Sequence, residues 1–405
     1  MDSSAGAALS ELTRDDRSRI LATLIRVTGE IEVAQDALQD GILRAIRVWP
    51  HSGVPDNPRA WVTVAARRCA IDRLRREAQR QHKEASAVHL LGDDDAEPAD
   101  SVLRDDLLRL IFTCAHPSLS PAARVALSLR TLGGLTTAEV ARALLVSPAS
   151  MAKRLTRTKQ KIAQAHIPYR VPTDGELPDR LPTVLSTVYL IFNEGYAASA
   201  GPVAVRDELL EEAIRLARLL RELLPDEPSV LGLLALLLLQ DSRRSTRMDA
   251  AGKLVLLVDQ PRALWDRAKI AEGVRLIGDA LQRSRDRPDP YVVQAAIAAC
   301  HALAPDYAAT DWPAIVSWYD VLLTVSDTPV VRLNRAAAIA ERDGPAAGLA
   351  ELERIDGLPD YPFWHASRGD LLSRLGRKDQ AAAAFDRAIA LGLNASHGAH
   401  LRDRR

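Results

Sequence analysis

Five cations fall on one short stretch, Lys153, Arg154, Arg157, Lys159 and Lys161, with no acidic residue between 151 and 161. Guanidinium and ammonium groups three and four residues apart share a helical face, and such a face suits phosphates and guanine edges. Local signals put that face on the second helix of a helix–turn–helix spanning Leu135–Ile162. Thr136 has the side chain of an N-cap, with Glu139 in the first turn behind it. A short turn at Leu145–Val146–Ser147 leads to a second helix, with Ser147 as its cap and Pro148 at its first position, where a missing N–H costs nothing. Ala141 is small where the helices cross, and Val140, Leu144, Val146, Met151 and Leu155 form an apolar wedge that sets the angle. Such a motif places the N-terminal end of its second helix in a major groove while flanking cations hold phosphate. Leu145 departs from the pattern: it stands where Gly is usual, and a positive φ there would cost on the order of 1 kcal/mol.

A second basic run is Asn57–Lys83, NPRAWVTVAARRCAIDRLRREAQRQHK, with eight cations against Asp72 and Glu77. Trp61, Val64, Ala65, Ile71 and Leu74 give it a helical core stripe, so it reads as a helix with one apolar and one cationic face. Charge of this kind supports phosphate binding and says nothing about sequence reading. Just upstream, Asp36, Gln39, Asp40, Leu43 and Arg47 form a ridge on a helix whose apolar stripe is Val33, Ala37, Ile42, Ala45 and Ile46. An acidic and amide ridge beside a leucine is either solvated surface or a docking face.

These elements sit in a chain of 405 residues with 53 Lys+Arg and 53 Asp+Glu. The balance conceals an asymmetry, since residues 1–170 hold 25 basic and 20 acidic side chains and the rest hold 28 and 33. A basic front half on a neutral whole asks for a polyanion at one end only. Cys69, Cys114 and Cys300 are far apart and odd in number, which fits a reduced, cytoplasmic setting and excludes a disulfide scaffold or a Cys-rich metal site. No leader pattern opens the chain, and the longest apolar run, Val230–Leu239, is too short for a bilayer, so no membrane association is expected. No P-loop, GxGxxG, HExxH or GxSxG is present, so no catalytic residue, cofactor or metal is expected and the chain does not read as an enzyme.

Helical periodicity is nearly continuous and strand alternation nearly absent, so the expected fold class is all-α. Two stretches read as linkers, an acidic one at 85–101 and a Pro/Gly-rich one at 166–181. They leave segments 10–84, 102–165 and 182–405. The last shows weak repetition at an offset of 33, with Leu349, Leu352 and Ile355 matching Ala382, Phe385 and Ala388, as in a tetratricopeptide-like array of stacked helix hairpins. Glu211–Pro228 and Tyr291–Pro305 each end in a proline stop. Trp312, Trp318 and Trp364 are expected to fill its core, and Asp241–Arg244 to end a helix rather than form a site.

The order of an acidic DALQDGILRAI helix, a basic NPRAWVTVAARRCAIDRLRRE helix, an acidic linker and the helix–turn–helix resembles bacterial sigma factors, specifically the short extracytoplasmic-function (group IV) form. The likeness covers about residues 10–165, and the remainder resembles the subgroup with a long C-terminal extension. The resemblance implies sigma domain two at 10–84 and sigma domain four at 102–165. It implies that Asp36, Gln39, Asp40 and Leu43 dock on the β′ clamp helices of RNA polymerase core, with the β flap a further contact. Asn57, Arg59, Trp61, Arg67, Arg68, Asp72, Arg73, Arg75 and Arg76 would serve the −10 element and its unpaired strand. Ser147, Ala149, Ser150, Lys153, Arg154, Arg157 and Lys161 would read the −35 element. The acidic linker would thread channels that normally hold nucleic acid. The extension is expected to regulate the sigma domains in cis, with or without a protein partner. The competing reading is an operator-binding helix–turn–helix regulator with a tetratricopeptide-like sensor, which leaves 33–83 unexplained.

Overall fold

The computed structural model describes residues 9, 12, 14–80, 100–144, 146–165, 167, 169–173, 175–196, 207–249, 255–284, 287–392 and 401. Among them lie seventeen α-helices and no strand. Leu145, with its expected strain, and residues 85–99 of the acidic linker fall outside the described residues. The chain divides into two compact units, 1–188 and 189–405.

The first unit is built on α1 (Arg14–Thr28), α2 (Ile31–Ser52), α3 (Pro58–Arg80) and α4 (Asp100–Cys114), followed by α5 (Pro121–Thr131), α6 (Thr137–Ala143) and α7 (Pro148–Gln164). Helix α2 buries Ile31, Ala34, Ala37, Gly41, Ala45 and Trp49, one residue per turn. Gly41 is needed because a Cβ there would stand 2.8 Å from the Cβ of Ala66 on α3. Trp49 meets Trp61 edge-on at 5.4 Å. The stripe expected from sequence is half right: Ala37 and Ala45 are buried, but Ile46 is 44% exposed beside Leu43 at 42%. The small residues of α2, not its isoleucines, make the close contact with α3.

The helix α1 binds the front and back of this unit together. Ile20, Leu24 and Ile25 are fully buried, and α1 packs on α2, α3 and α4. The Ser18 hydroxyl donates to the carbonyl of Leu132 at 2.7 Å. Arg26 Nε donates to the fully buried carboxylate of Asp106 at 2.9 Å, which also accepts from Arg109 at 3.0 Å. Burial pushes the Asp106 carboxyl up, against the pull of those two guanidiniums. The Tyr169 hydroxyl donates to the Ala22 carbonyl at 2.8 Å and lies 3.1 Å from that of Asp106.

Helix α8 (Leu177–Tyr196) includes the end of the stretch expected to be a linker and carries Pro182 inside it. In the second unit follow α9 (Asp207–Leu223), α10 (Pro228–Asp241), α11 (Arg267–Arg283), α12 (Pro290–Leu303), α13 (Trp312–Val325), α14 (Pro329–Asp343), α15 (Pro345–Glu353), α16 (Pro362–Arg374) and α17 (Lys378–Ala390). The apolar run 230–239 is α10, buried nearly all round between its neighbours. Each helix packs chiefly on those one or two places away in sequence, α10 on both α11 and α12, the pattern of a quasi-one-dimensional array. Of the two proline stops, Pro305 lies just past the end of α12, whereas Pro228 opens α10; six of these helices carry Pro in the first turn, where no N–H is needed. Leu349, Leu352, Phe385 and Ala388 share one core cluster, with Trp364 packed against it. Gly369 lies under the Phe385 ring, where a Cβ would come within 2.4 Å of its edge.

Candidate nucleic-acid and polymerase interface

The helix–turn–helix forms as its caps dictate. Thr136 Oγ1 accepts from the Glu139 N–H at 3.2 Å, while Glu139 Oε2 accepts from the Thr136 N–H at 2.7 Å, a closed capping box. The Val146 N–H donates to the Ala141 carbonyl at 3.0 Å and closes the turn. Ser147 Oγ accepts from the Ser150 N–H at 3.2 Å and starts α7 behind Pro148. Val140, Ala141, Met151 and Leu155 are buried, with Leu144 and Val146 half-buried at the rim of the wedge.

That wedge fixes which side of α7 faces outward. Ser147, Ala149, Ser150, Lys153, Arg157 and Lys161 are exposed and Arg154 is half-buried. Ser150, Lys153, Arg154, Arg157 and Lys161 line one shallow groove of about 430 Å³ with Leu119, Ser120 and Ala123 at the start of α5. Lys161 Nζ donates to the Ser118 carbonyl at 2.5 Å. Lys159, equally basic in sequence, points elsewhere: it donates to Gln35 at 2.9 Å and pairs with Glu32 at 3.4 Å on α2. A run of cations is thus split between a groove and an internal tie.

On α2, Asp36, Gln39 and Leu43 are exposed and Asp40 is half-buried, with exposed Ile46 extending the ridge. Carboxylates, an amide and two bare aliphatic side chains make a mixed surface of the kind that docks on another protein. On α3, Asn57 Oδ1 accepts from the Ala60 N–H at 3.1 Å and caps the helix. Arg59 pairs with Asp16 at 3.7 Å. Trp61 is held by Trp49, while Arg68, Asp72, Arg75 and Arg76 form the exposed stripe; Arg67 is half-buried. Arg73 turns to α2, 2.5 Å from Asp36 and 3.5 Å from Asp40. Asp40, Leu43, Asp72 and Arg76 line one groove of about 380 Å³ together with Arg44, Arg47 and Cys69. The two sets assigned separately from sequence therefore meet across α2 and α3, whereas Asn57 and Arg59 lie at the far end of α3. Arg47 belongs to the ridge read from sequence, one turn past Leu43, whereas Arg44 stands outside that ridge and joins the groove only through the packing of α2 and α3.

Comparisons with known proteins follow the same division. Residues 12–80 match Sigma-70 region 2, residues 109–162 match Sigma-70, region 4, and residues 180–281 match a family of unknown function (DUF6596). Uncharacterized protein R00370 of Rhizobium meliloti (strain 1021) is 43% identical over 392 residues, covering 95% of this chain and 92% of that protein. The probable ECF RNA polymerase sigma factor SigI of Mycobacterium tuberculosis is 30% identical over 167 residues, 39% of this chain and 56% of SigI. The ECF RNA polymerase sigma factor SigK of Mycobacterium sp. (strain KMS) is 31% identical over 159 residues, 38% of this chain and 79% of SigK. Region 2 therefore corresponds to α1–α3, region 4 to the part from α4 through α7, and the extension lies beyond both. With both regions in order and SigK matched over most of its length, the chain belongs to the extracytoplasmic-function family of RNA polymerase sigma factors.

Proposed function

We propose that this sigma factor docks on RNA polymerase core through Asp36, Gln39, Asp40 and Leu43 on α2, joined by Ile46, with the β′ clamp helices as the receiving surface. Asn57, Arg59, Trp61, Arg67, Arg68, Asp72, Arg73, Arg75 and Arg76 then hold the −10 element. The exposed stripe of α3 tracks phosphates of the unpaired strand, and Trp61 and Asn57 fix the start of the helix. Ser147, Ala149, Ser150 and Lys153 read −35 base edges, while Arg154, Arg157 and Lys161 bind phosphate or guanine. The β flap is the second contact with core, next to the region 4 fold. The protein acts by binding, without catalysis of its own, and works in the cytoplasm where polymerase and promoter meet; no helix of the described residues is long and apolar enough to cross a membrane.

The observation that carries this reading is the single groove that gathers Ser150, Lys153, Arg154, Arg157 and Lys161 on the open side of a region 4 helix–turn–helix. The extension acts on the sigma domains in cis, in place of a separate regulator. Support comes from its size: a whole compact unit is fused to the two regions. The test is run-off transcription with purified core, comparing the full chain with residues 1–188. The shorter cut keeps Tyr169 and its bonds to Ala22 and Asp106. Specific initiation by both forms with different yields supports the reading. Equal yields under every condition refute regulation by the extension, and no initiation by either form refutes the whole.

A further inference from the structure

The second unit contains a cavity of about 500 Å³, within the size range of small-molecule sites. Helix α10 contributes Leu239 and Gln240, and Arg243 follows one turn beyond; α12 contributes Gln294, Ile297 and His301 on a single face. Leu322 of α13 and Val331 and Asn334 of α14 face them, and Tyr189 of α8 lines the cavity with Leu257 and Trp265. The lining is mixed: aliphatic side chains from several helices stand beside Gln240, Gln294, Asn334 and two tyrosines.

Three features define what the cavity is suited to hold. First, Arg243 is the one charged side chain among the described residues that line it, and none of these carries a carboxylate. Second, that guanidinium is held in place: it donates through Nη2 to the Tyr196 hydroxyl and to Gln240 at 3.2 Å. Tyr196 is itself fixed between Phe192, stacked at 5.5 Å, and Arg247, 3.4 Å above its ring. Third, His301 has a buried Nδ1 with no hydrogen-bond partner, and its ring is wedged against Trp312 at 5.3 Å. Burial, with Arg243 and then Arg262 nearby, lowers the His301 pKa to about 4. Burial alone would disfavour any charge there; the share that Arg243 and Arg262 add is positive potential, and that share favours an anion.

We propose that this cavity binds a small monocarboxylate with an apolar body, its carboxylate held by Arg243 and His301 and its hydrocarbon lying among Leu239, Ile297 and Leu322. A planar guanidinium fork matches a carboxylate, and one cation matches a monoanion. The inference concerns binding and stands whether or not the extension regulates transcription.

The experiment is calorimetric titration of the full chain with octanoate and 4-phenylbutyrate as probes, with octanamide and octylamine as controls of similar size. Saturable binding of one carboxylate per chain is expected, at least tenfold tighter than either control. Arg243→Gln should weaken it at least tenfold. Ala298→Phe, which places a ring in the cavity and leaves Arg243, Tyr196 and Gln240 unaltered, should abolish it. Circular dichroism shows whether each variant folds; if Arg243→Gln does not, Ala298→Phe decides. Absence of saturable carboxylate binding, equal affinity for octanamide, or full binding by folded Arg243→Gln or Ala298→Phe overturns the proposal. The effect of octanoate on run-off yield is read separately and bears only on regulation.

Discussion

Helices α3 and α7 are alike in sequence, both rich in Arg and Lys with a narrow apolar stripe, yet the fold presents their charge differently. On α7, Lys153, Arg154 and Arg157 have no ion-pair partner among the described residues. On α3, Arg59 pairs with Asp16, and Arg73 with Asp36 and Asp40. Charge density in a sequence is therefore not the charge available to a polyanion. Helix α7 offers a bare positive groove suited to duplex DNA as it stands. Helix α3 is partly neutralised by α2, through the carboxylates proposed to meet polymerase. Exposed pairs of this kind are worth at most about 1 kcal/mol, so a docking partner that claims Asp36 and Asp40 would release Arg73 cheaply. In this account polymerase docking and strand capture are coupled through a single arginine.

The largest effect is expected on α7. Reversing charge in Arg154→Glu/Arg157→Glu removes two contacts worth about 1–3 kcal/mol each and adds repulsion, so run-off from a cognate promoter should fall at least 100-fold with helicity unchanged. Retained activity would break the contrast between the helices. Next is the tie between α1 and α4. Arg26→Ala leaves the buried Asp106 carboxylate with Arg109 as its one ion-pair partner among the described residues, beside the Thr23 hydroxyl, and should cost about 3 kcal/mol in urea denaturation at neutral pH. Because burial already raises the Asp106 pKa, the protonated form is the one the fold favours. The penalty should therefore shrink as pH falls and Asp106 takes up a proton, and grow as pH rises through its folded pKa.

A smaller effect sharpens the comparison. Asp36→Asn/Asp40→Asn should weaken core binding about tenfold while raising the free protein's affinity for a single-stranded oligonucleotide a few-fold, since Arg73 is no longer paired. Fluorescence anisotropy reads both, and a fall in the two affinities together would contradict the coupling. The smallest change is Thr136→Ala, which opens the capping box of α6 and should cost about 1 kcal/mol, seen as a few degrees in Tm.

Local rules explain what could be read in advance. The caps at Thr136 and Ser147, Pro148 at the first position of α7 and the wedge of Val140, Met151 and Leu155 all act within a few residues, and each is visible in the sequence. The two helices matched by the offset of 33, α15 and α17, share one core cluster. What escaped is held by distant partners. Ser18 bonds Leu132 across 114 residues, and Arg26 meets Asp106 across 80. Lys159 left the basic face for Gln35, and Arg73 left it for Asp36, on partners that no periodicity names. Ile46 was misplaced because a hydrophobic side chain on a helix reads as core, and an exposed one has no local mark. Arg243 read as a helix-end cation; only the fold of the array turns it toward a cavity.

The central claim is that α7 reads promoter DNA as part of a polymerase holoenzyme. Fluorescence anisotropy of a labelled duplex from the promoter of the protein's own operon, titrated with the full chain in the presence and absence of purified core, tests it most directly. The account predicts specific, salt-resistant binding with core and only weak, salt-sensitive binding without it. Tight, sequence-specific binding by the chain alone, unchanged when core is added, would contradict it and mark the protein as an operator-binding regulator.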